Sequence, residues 1–233
     1  MIAVARNKAV DAIRRRINEG YAATAGDAWI RQDLCREVIR LGRLLLELSR
    51  APESLGLLAL MLLQDSRRDA RVDNNGDMVL LERQDRSRWD RKQIEEALAL
   101  VQLGLRGGAG PYALQAAIAA LHAAAPCGED TDWPQIAALY GELLRREPSP
   151  VVELNRAVAI AMCNGPEAGL SLIEPLQEVL GQYHLWHAAR GDLLRRLNRI
   201  ADAVAAYRSA LVCVGSVPER RFLECRLAEL QAP

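Results

Sequence analysis

From about residue 130 onward the chain repeats one spacing of small and bulky residues, and no other feature limits its fold so tightly. The clearest copy has Gly191 and Leu194, then Ala203, Tyr207 and Ala210. Positions three or four apart stack on one face of a helix, so the last three residues line a single seam. Stepping back 35 residues places Ala168 on Ala203 and Leu172 on Tyr207. A further 32 places Ile136, Tyr140 and Leu143 on the same three positions, with Pro148 closing the copy. Pro175 stands where the middle copy should carry its second alanine. Small residues let two helix axes approach, and a ring or leucine fills the space between them.

Gly, Tyr and Ala at these offsets, with a period near 34 residues, resemble tetratricopeptide (TPR) hairpins. The expectation is an all-α fold: a right-handed helical-hairpin (TPR-like) array over residues 109–233. A capping helix at Pro218–Leu230 would turn Phe222 and Leu223 inward. The competing reading is an ordinary helical bundle with Ala-rich seams. An array offers a concave, groove-like surface suited to a peptide or a partner's helix.

Composition agrees with helices. Half of the 233 residues are hydrophobic, with one Phe and four Trp, so the core is Leu, Ala, Val and Ile. Lys+Arg and Asp+Glu are 30 each, which removes any global field toward DNA or anionic lipid. Five scattered cysteines, Cys35, Cys127, Cys163, Cys213 and Cys225, form no CxxC pair and read as buried thiols in a reducing compartment. No apolar run is long enough to span a bilayer, Leu55–Leu63 being too short, and no signal-peptide core opens the chain. Cytoplasmic localisation is the expectation.

Upstream of the repeat, residues 3–17 read as an amphipathic helix with Val10, Ile13 and Ile17 on one face. Gly20 and Gly26 break it, and Asp27 can cap a helix over about 28–50. Pro52 opens another helix that includes the apolar run. Asn75-Gly76 is the dipeptide of a type I′ turn, so a small β-hairpin or extended loop is expected near 72–81. Asp73, Asn75 and Asp77 have EF-hand-like spacing, but no Glu follows at the twelfth position, and a plain turn is the better reading. Helices over 88–106 and 111–124 flank Gly107-Gly-Ala-Gly-Pro111, the best hinge by composition. The organisation expected is therefore three parts, 1–17, 18–108 and 109–233.

Chemistry-bearing motifs are sparse. His184 and His187 could share a metal, but no acid joins them at helical spacing, and His187 falls at the TPR tryptophan position. No GxGxxG, P-loop or GxSxG occurs, and no thiol has a local base. Neither an enzyme nor a cofactor is expected; a metal or small-ligand role for His184 and His187 is the remote alternative. Two charged clusters stand out: Asp65, Arg67, Arg68 and Arg71, and the block Asp85, Arg86, Arg88, Trp89, Asp90. They fit either a paired Arg/Asp network under the hairpin or a partner surface anchored by Trp89. A third set, Arg6, Lys8, Arg14, Arg15 and Arg16, is weakly suited to nucleic acid.

Several longer segments point to one family. They are Asn18-Glu-Gly-Tyr-Ala-Ala-Thr-Ala-Gly-Asp27, Leu58-Ala-Leu-Met-Leu-Leu-Gln-Asp-Ser-Arg-Arg68 and Gln84-Asp-Arg-Ser-Arg-Trp-Asp90. With them go Gly110–Ile118, Thr131-Asp-Trp133, Pro150–Val158, Tyr183–Arg190 and Glu219–Leu223. Over residues 17–230 the chain resembles the C-terminal extension of a subgroup of extracytoplasmic-function sigma factors of the sigma-70 family. Val4–Arg16 is similar to the end of the sigma region 2 helix that reads the −10 element, joined almost directly to Asn18, with most of region 2 and all of region 4 missing. The resemblance implies a regulatory, protein-interaction role in transcription initiation, with RNA polymerase, sigma core domains or a regulator as partner. Asn18, Glu19, Tyr21 and the two charged clusters are its candidate contacts, and DNA would be held at most weakly through residues 3–16. A stand-alone TPR-like adaptor is the alternative.

Overall fold

The structure, a computed structural model, describes residues 32–231. Among these the fold is all-α, with eleven α-helices and no strand. The chain divides into two compact units, the first ending at Thr131 and the second starting at Asp132. The expected helix at 3–17, the break at 18–27 and the cap Asp27 lie outside the described residues.

In the first unit, α1 (Gln32–Leu48), α3 (Arg91–Arg106) and α4 (Pro111–Ala124) all pack on α2 (Pro52–Asp65). The sequence of α2 explains its central place. It is apolar around most of its circumference, and Leu57, Leu58, Met61, Leu62 and Leu63 are each no more than 1% exposed. The closest approach to backbone comes at Gly56, where a Cβ would lie 2.4 Å from the backbone nitrogen of Ala113. Glu53 completes that junction by accepting the Tyr112 N–H at 3.2 Å, so a side chain of α2 caps the start of α4.

Helix α4 therefore belongs to the first unit, and the boundary falls after Thr131 rather than at 108/109. The glycine-rich stretch does not divide the two units. A Cβ at Gly107 would lie 2.7 Å from Pro52 Cγ, and one at Gly110 would meet the Glu53 carboxylate. The turn at 72–81 is a single antiparallel bridge, Val72 with Met78. It is not type I′: Gly76 (φ 79°) is the one residue there with positive φ. Asp73 accepts Gly76 N–H on its carbonyl, and its Oδ1 takes Asn75 N–H and Asp77 N–H, which favours a type I turn followed by a left-handed glycine.

The second unit is a succession of TPR-like helical hairpins. Helices α5 (Trp133–Arg146), α6 (Pro150–Asn164), α7 (Pro166–Ile173), α9 (His184–Arg196), α10 (Ile200–Cys213) and α11 (Val217–Gln231) each pack on the next, and α6 also touches α9. Ala203 and Ala210 are fully buried, as the repeat requires. In the middle copy the seam sits one residue later than the spacing suggests. Gly169 and Ile173 are buried, while Ala168 and Leu172 are only half-buried. Gly169 and Ile173 stand 34 residues before Ala203 and Tyr207, which restores the regular period. Pro175, lacking an N–H, ends α7 at Ile173, and a 3-10 turn (Glu174–Leu176) leads into the short α8 (Gln177–Leu180). The Ile173 carbonyl is taken by the indole N–H of Trp186 at 2.8 Å.

Helix α9 ends in a left-handed Asn198 (φ 59°). Its N–H donates to Arg195 O, and the Arg199 N–H donates to Leu194 O, closing the helix in a Schellman motif. The cap helix α11 buries Leu223 and half-buries Phe222. The cysteines do not follow expectation: Cys35 is buried, but Cys127, Cys163 and Cys225 are exposed.

Candidate protein-interaction site

The charged clusters of the first unit meet around one indole. Trp89 is 3% exposed. The Arg86 guanidinium lies 4.5 Å from its ring centroid and that of Arg67 lies 5.9 Å away. Arg86 Nη1 donates to His122 O at 2.6 Å and to Ala125 O at 2.8 Å, satisfying two carbonyls at the C-terminus of α4. Burial lowers the pKa of Arg86. The same desolvation, with Arg67 and Arg86 adding repulsion, pulls His122 down to about 4.

The acids of the cluster are equally committed. Asp65 is 1% exposed, and its Oδ2 accepts from Gln93 Nε2 at 2.9 Å and from Arg68 Nη2 at 3.2 Å. Asp90 caps α3 through the N–H groups of Lys92 and Gln93. Asp85 caps the short turn Arg86–Arg88 by accepting from the Ser87 hydroxyl and N–H, which lowers its pKa. Arg67 donates to Gln64 Oε1, and the Arg71 backbone carries the turn through Val79 N–H.

Around Trp89 and Asp65 the block forms an internal network. Trp89 and Asp65 are corrected from partner contacts to parts of the core, because both are covered by the chain's own helices. Of these candidates Asp85, Arg88 and Asp90 face solvent. Asn18, Glu19, Tyr21, Arg6, Lys8, Arg14, Arg15 and Arg16 lie outside the described residues.

The second unit offers a different surface. Arg196 of α9 reaches α6, donating toward Ala161 O and Met162 Sδ, both at 3.4 Å. On these two helices α6 exposes Val151 (37%), Asn155 and Met162 (38%), and α9 exposes Leu185 (43%). The residues Val151, Asn155 and Met162 recur at helical spacing, so they form a stripe along α6. Sequence reasoning missed it because an exposed face of a hairpin carries no packing signature. The two histidines do not converge: His187 Nε2 bonds Gly181 O at 2.9 Å, while His184 Nε2 sits 3.4 Å from Glu219. The buried ring near the expected tryptophan position is Trp186, one residue before His187. Among the described residues no His, Cys, Asp and Glu group could hold a metal, and no helix is long and apolar enough to cross a membrane.

Comparison with known proteins gives a family match without a function. Residues 7–104 match a family of unknown function, DUF6596. The uncharacterized protein R00370 of Rhizobium meliloti (strain 1021) is 50% identical over 217 residues, which is 92% of this chain and 51% of the relative. The chain thus spans about half the length of that relative. Among solved structures, the TPR2AB-domain:pHSP90 complex of yeast Sti1 overlaps 97% of this chain and 100% of that chain. Its TM-score of 0.39 and 13% identity are too low to bear on arrangement or partner.

Proposed function

We propose that the chain is a sigma-factor-like regulatory module that acts in transcription initiation through protein contact. The observation that carries the reading is the exposure of Val151 and Met162 on α6 and of Leu185 on α9, two helices that touch, while Trp89 and Asp65 of the charged clusters are buried among the chain's own helices. Apolar anchors with polar neighbours are what a partner helix or peptide uses for affinity. The segments that resemble a sigma-factor extension supply the partner class: RNA polymerase, a sigma core domain, or a regulator of either. A curated relative about twice as long as the shared span is compatible with an extension joined to a promoter-binding core. The zero formal charge fits contact with protein better than a grip on DNA.

Titration of the labelled chain with RNA polymerase core, isolated sigma core domains and promoter DNA tests the proposal. Saturable binding to polymerase or the sigma domains is expected, with DNA binding weak and abolished by salt. Binding to neither protein overturns it and leaves the stand-alone adaptor.

A further inference from the structure

The sequence contains two Asn-Gly steps, Asn75-Gly76 and Asn164-Gly165, and the structure treats them oppositely. Both asparagines are exposed. In both the glycine has positive φ, 79° and 90°, with nothing within 4 Å of where a Cβ would be. The difference lies in the glycine nitrogen. Gly76 N–H donates to Asp73 O at 3.1 Å, and the Asp73 carboxylate fixes the N–H groups of Asn75 and Asp77 on either side. Gly165 is the whole link between α6 and α7, and among the described residues its N–H has no acceptor.

We infer that Asn164 is a site of spontaneous deamidation, and that the Asp73-centred turn shields Asn75 from the same reaction. In the reaction the Gly165 nitrogen loses its proton and attacks Cγ of Asn164. The new N–Cγ bond closes a five-membered succinimide, and the Cγ–Nδ2 bond breaks to release ammonia. Water then opens the ring at either carbonyl, leaving aspartate or isoaspartate; no oxidant or further reactant is needed. Glycine is the best residue to follow the asparagine because no side chain hinders the approach. A nitrogen already held as a hydrogen-bond donor is a poorer nucleophile, and a turn pinned at three N–H groups resists the rotation that brings nitrogen to carbonyl.

The position gives the change a consequence. A carboxylate at Asn164 puts negative charge at the C-terminus of α6, where the helix dipole disfavours it. Isoaspartate also lengthens the backbone where one residue joins two helices packed as tightly as Gly169 on Ala161, whose Cβ would lie 2.5 Å from a Cβ on that glycine. Deamidation should therefore loosen the α6–α7 hairpin, and with it the α6 stripe.

The test ages the folded chain at mildly alkaline pH and follows both peptides by mass spectrometry, with a denatured sample in parallel. In the folded chain Asn164 should convert several-fold faster than Asn75, while in denaturant the two rates should converge. Asp73→Ala should raise the Asn75 rate and leave Asn164 unchanged, and Asn164→Gln should abolish the signal at 164. Equal rates in the folded chain, Asn75 ahead, or no conversion at Asn164 while the denatured sample converts would each overturn the inference.

Discussion

Tyr207 presses its ring against Gly191: a Cβ on that glycine would lie 3.0 Å from Cε1 and 3.1 Å from Cδ1 and Cζ. The pair is the point where α9 and α10 come together, and Tyr207 is 2% exposed. Gly191→Ala should destabilise the second unit by about 0.5–2 kcal/mol, overpacking against the Tyr207 ring outweighing the ~1 kcal/mol that alanine gains over glycine in a helix. Tyr207→Ala should cost about 3–5 kcal/mol through the cavity it leaves. Denaturant unfolding followed by far-UV circular dichroism measures both, and an unchanged midpoint for Gly191→Ala would contradict the packing described.

A second close contact ranks two glycines of the first unit. At Gly56 an added Cβ would lie 2.4 Å from backbone, whereas at Gly104 the nearest atom, Pro52 O, is 3.3 Å away. Gly56→Ala should therefore lower the midpoint clearly more than Gly104→Ala, since backbone cannot move aside as a side chain can. The reverse order would mean that α2 and α4 do not cross at Gly56.

Arg86 joins the two carbonyls at the end of α4 to the face of Trp89. Arg86→Ala should destabilise the unit by about 1–3 kcal/mol, because two partly buried carbonyls lose a charged donor. Arg86→Lys should recover little, since an ammonium lacks the planar fork that donates and stacks at once. Full recovery by lysine would show that charge alone matters.

His122 makes stability depend on pH. Its folded pKa, about 4, lies below the ordinary 6.5, so between these values the unfolded chain binds more protons. Stability is then full above about pH 6.5, falls as pH drops toward 4, and levels off below. The loss attributable to this group is of order 3 kcal/mol. His122→Gln should flatten that part of the profile. An imidazole titrating near 6.5 in the folded protein by NMR would contradict the environment described.

Much of the fold was legible because helix seams leave a periodic trace. Gly191, Ala203, Tyr207 and Ala210 could be placed before any coordinates, since close helix packing demands small residues at fixed intervals. The middle copy slipped by one because Ala168 and Gly169 are both small, and only burial tells them apart. The unit boundary was misplaced for a similar reason: glycines at 107–110 look like a hinge, but Gly107 and Gly110 make room for Pro52 and Glu53. Trp89 shows the limit for sites. An Arg- and Asp-flanked tryptophan reads alike as a surface anchor or a buried ring, and the difference depends on α4, distant in sequence, whose carbonyls Arg86 reaches.

The most direct test of the account is a titration of the chain against RNA polymerase core and isolated sigma core domains, repeated with Met162→Glu and Leu185→Glu. Leu185 is exposed, so Leu185→Glu should keep its stability within about 0.5 kcal/mol, and unfolding of Met162→Glu, whose side chain meets Arg196, is measured alongside. The account predicts saturable binding by the parent chain, weakened at least about tenfold in each variant, equivalent to about 1.4 kcal/mol. Binding that both variants retain in full, or no binding by the parent chain, would contradict it.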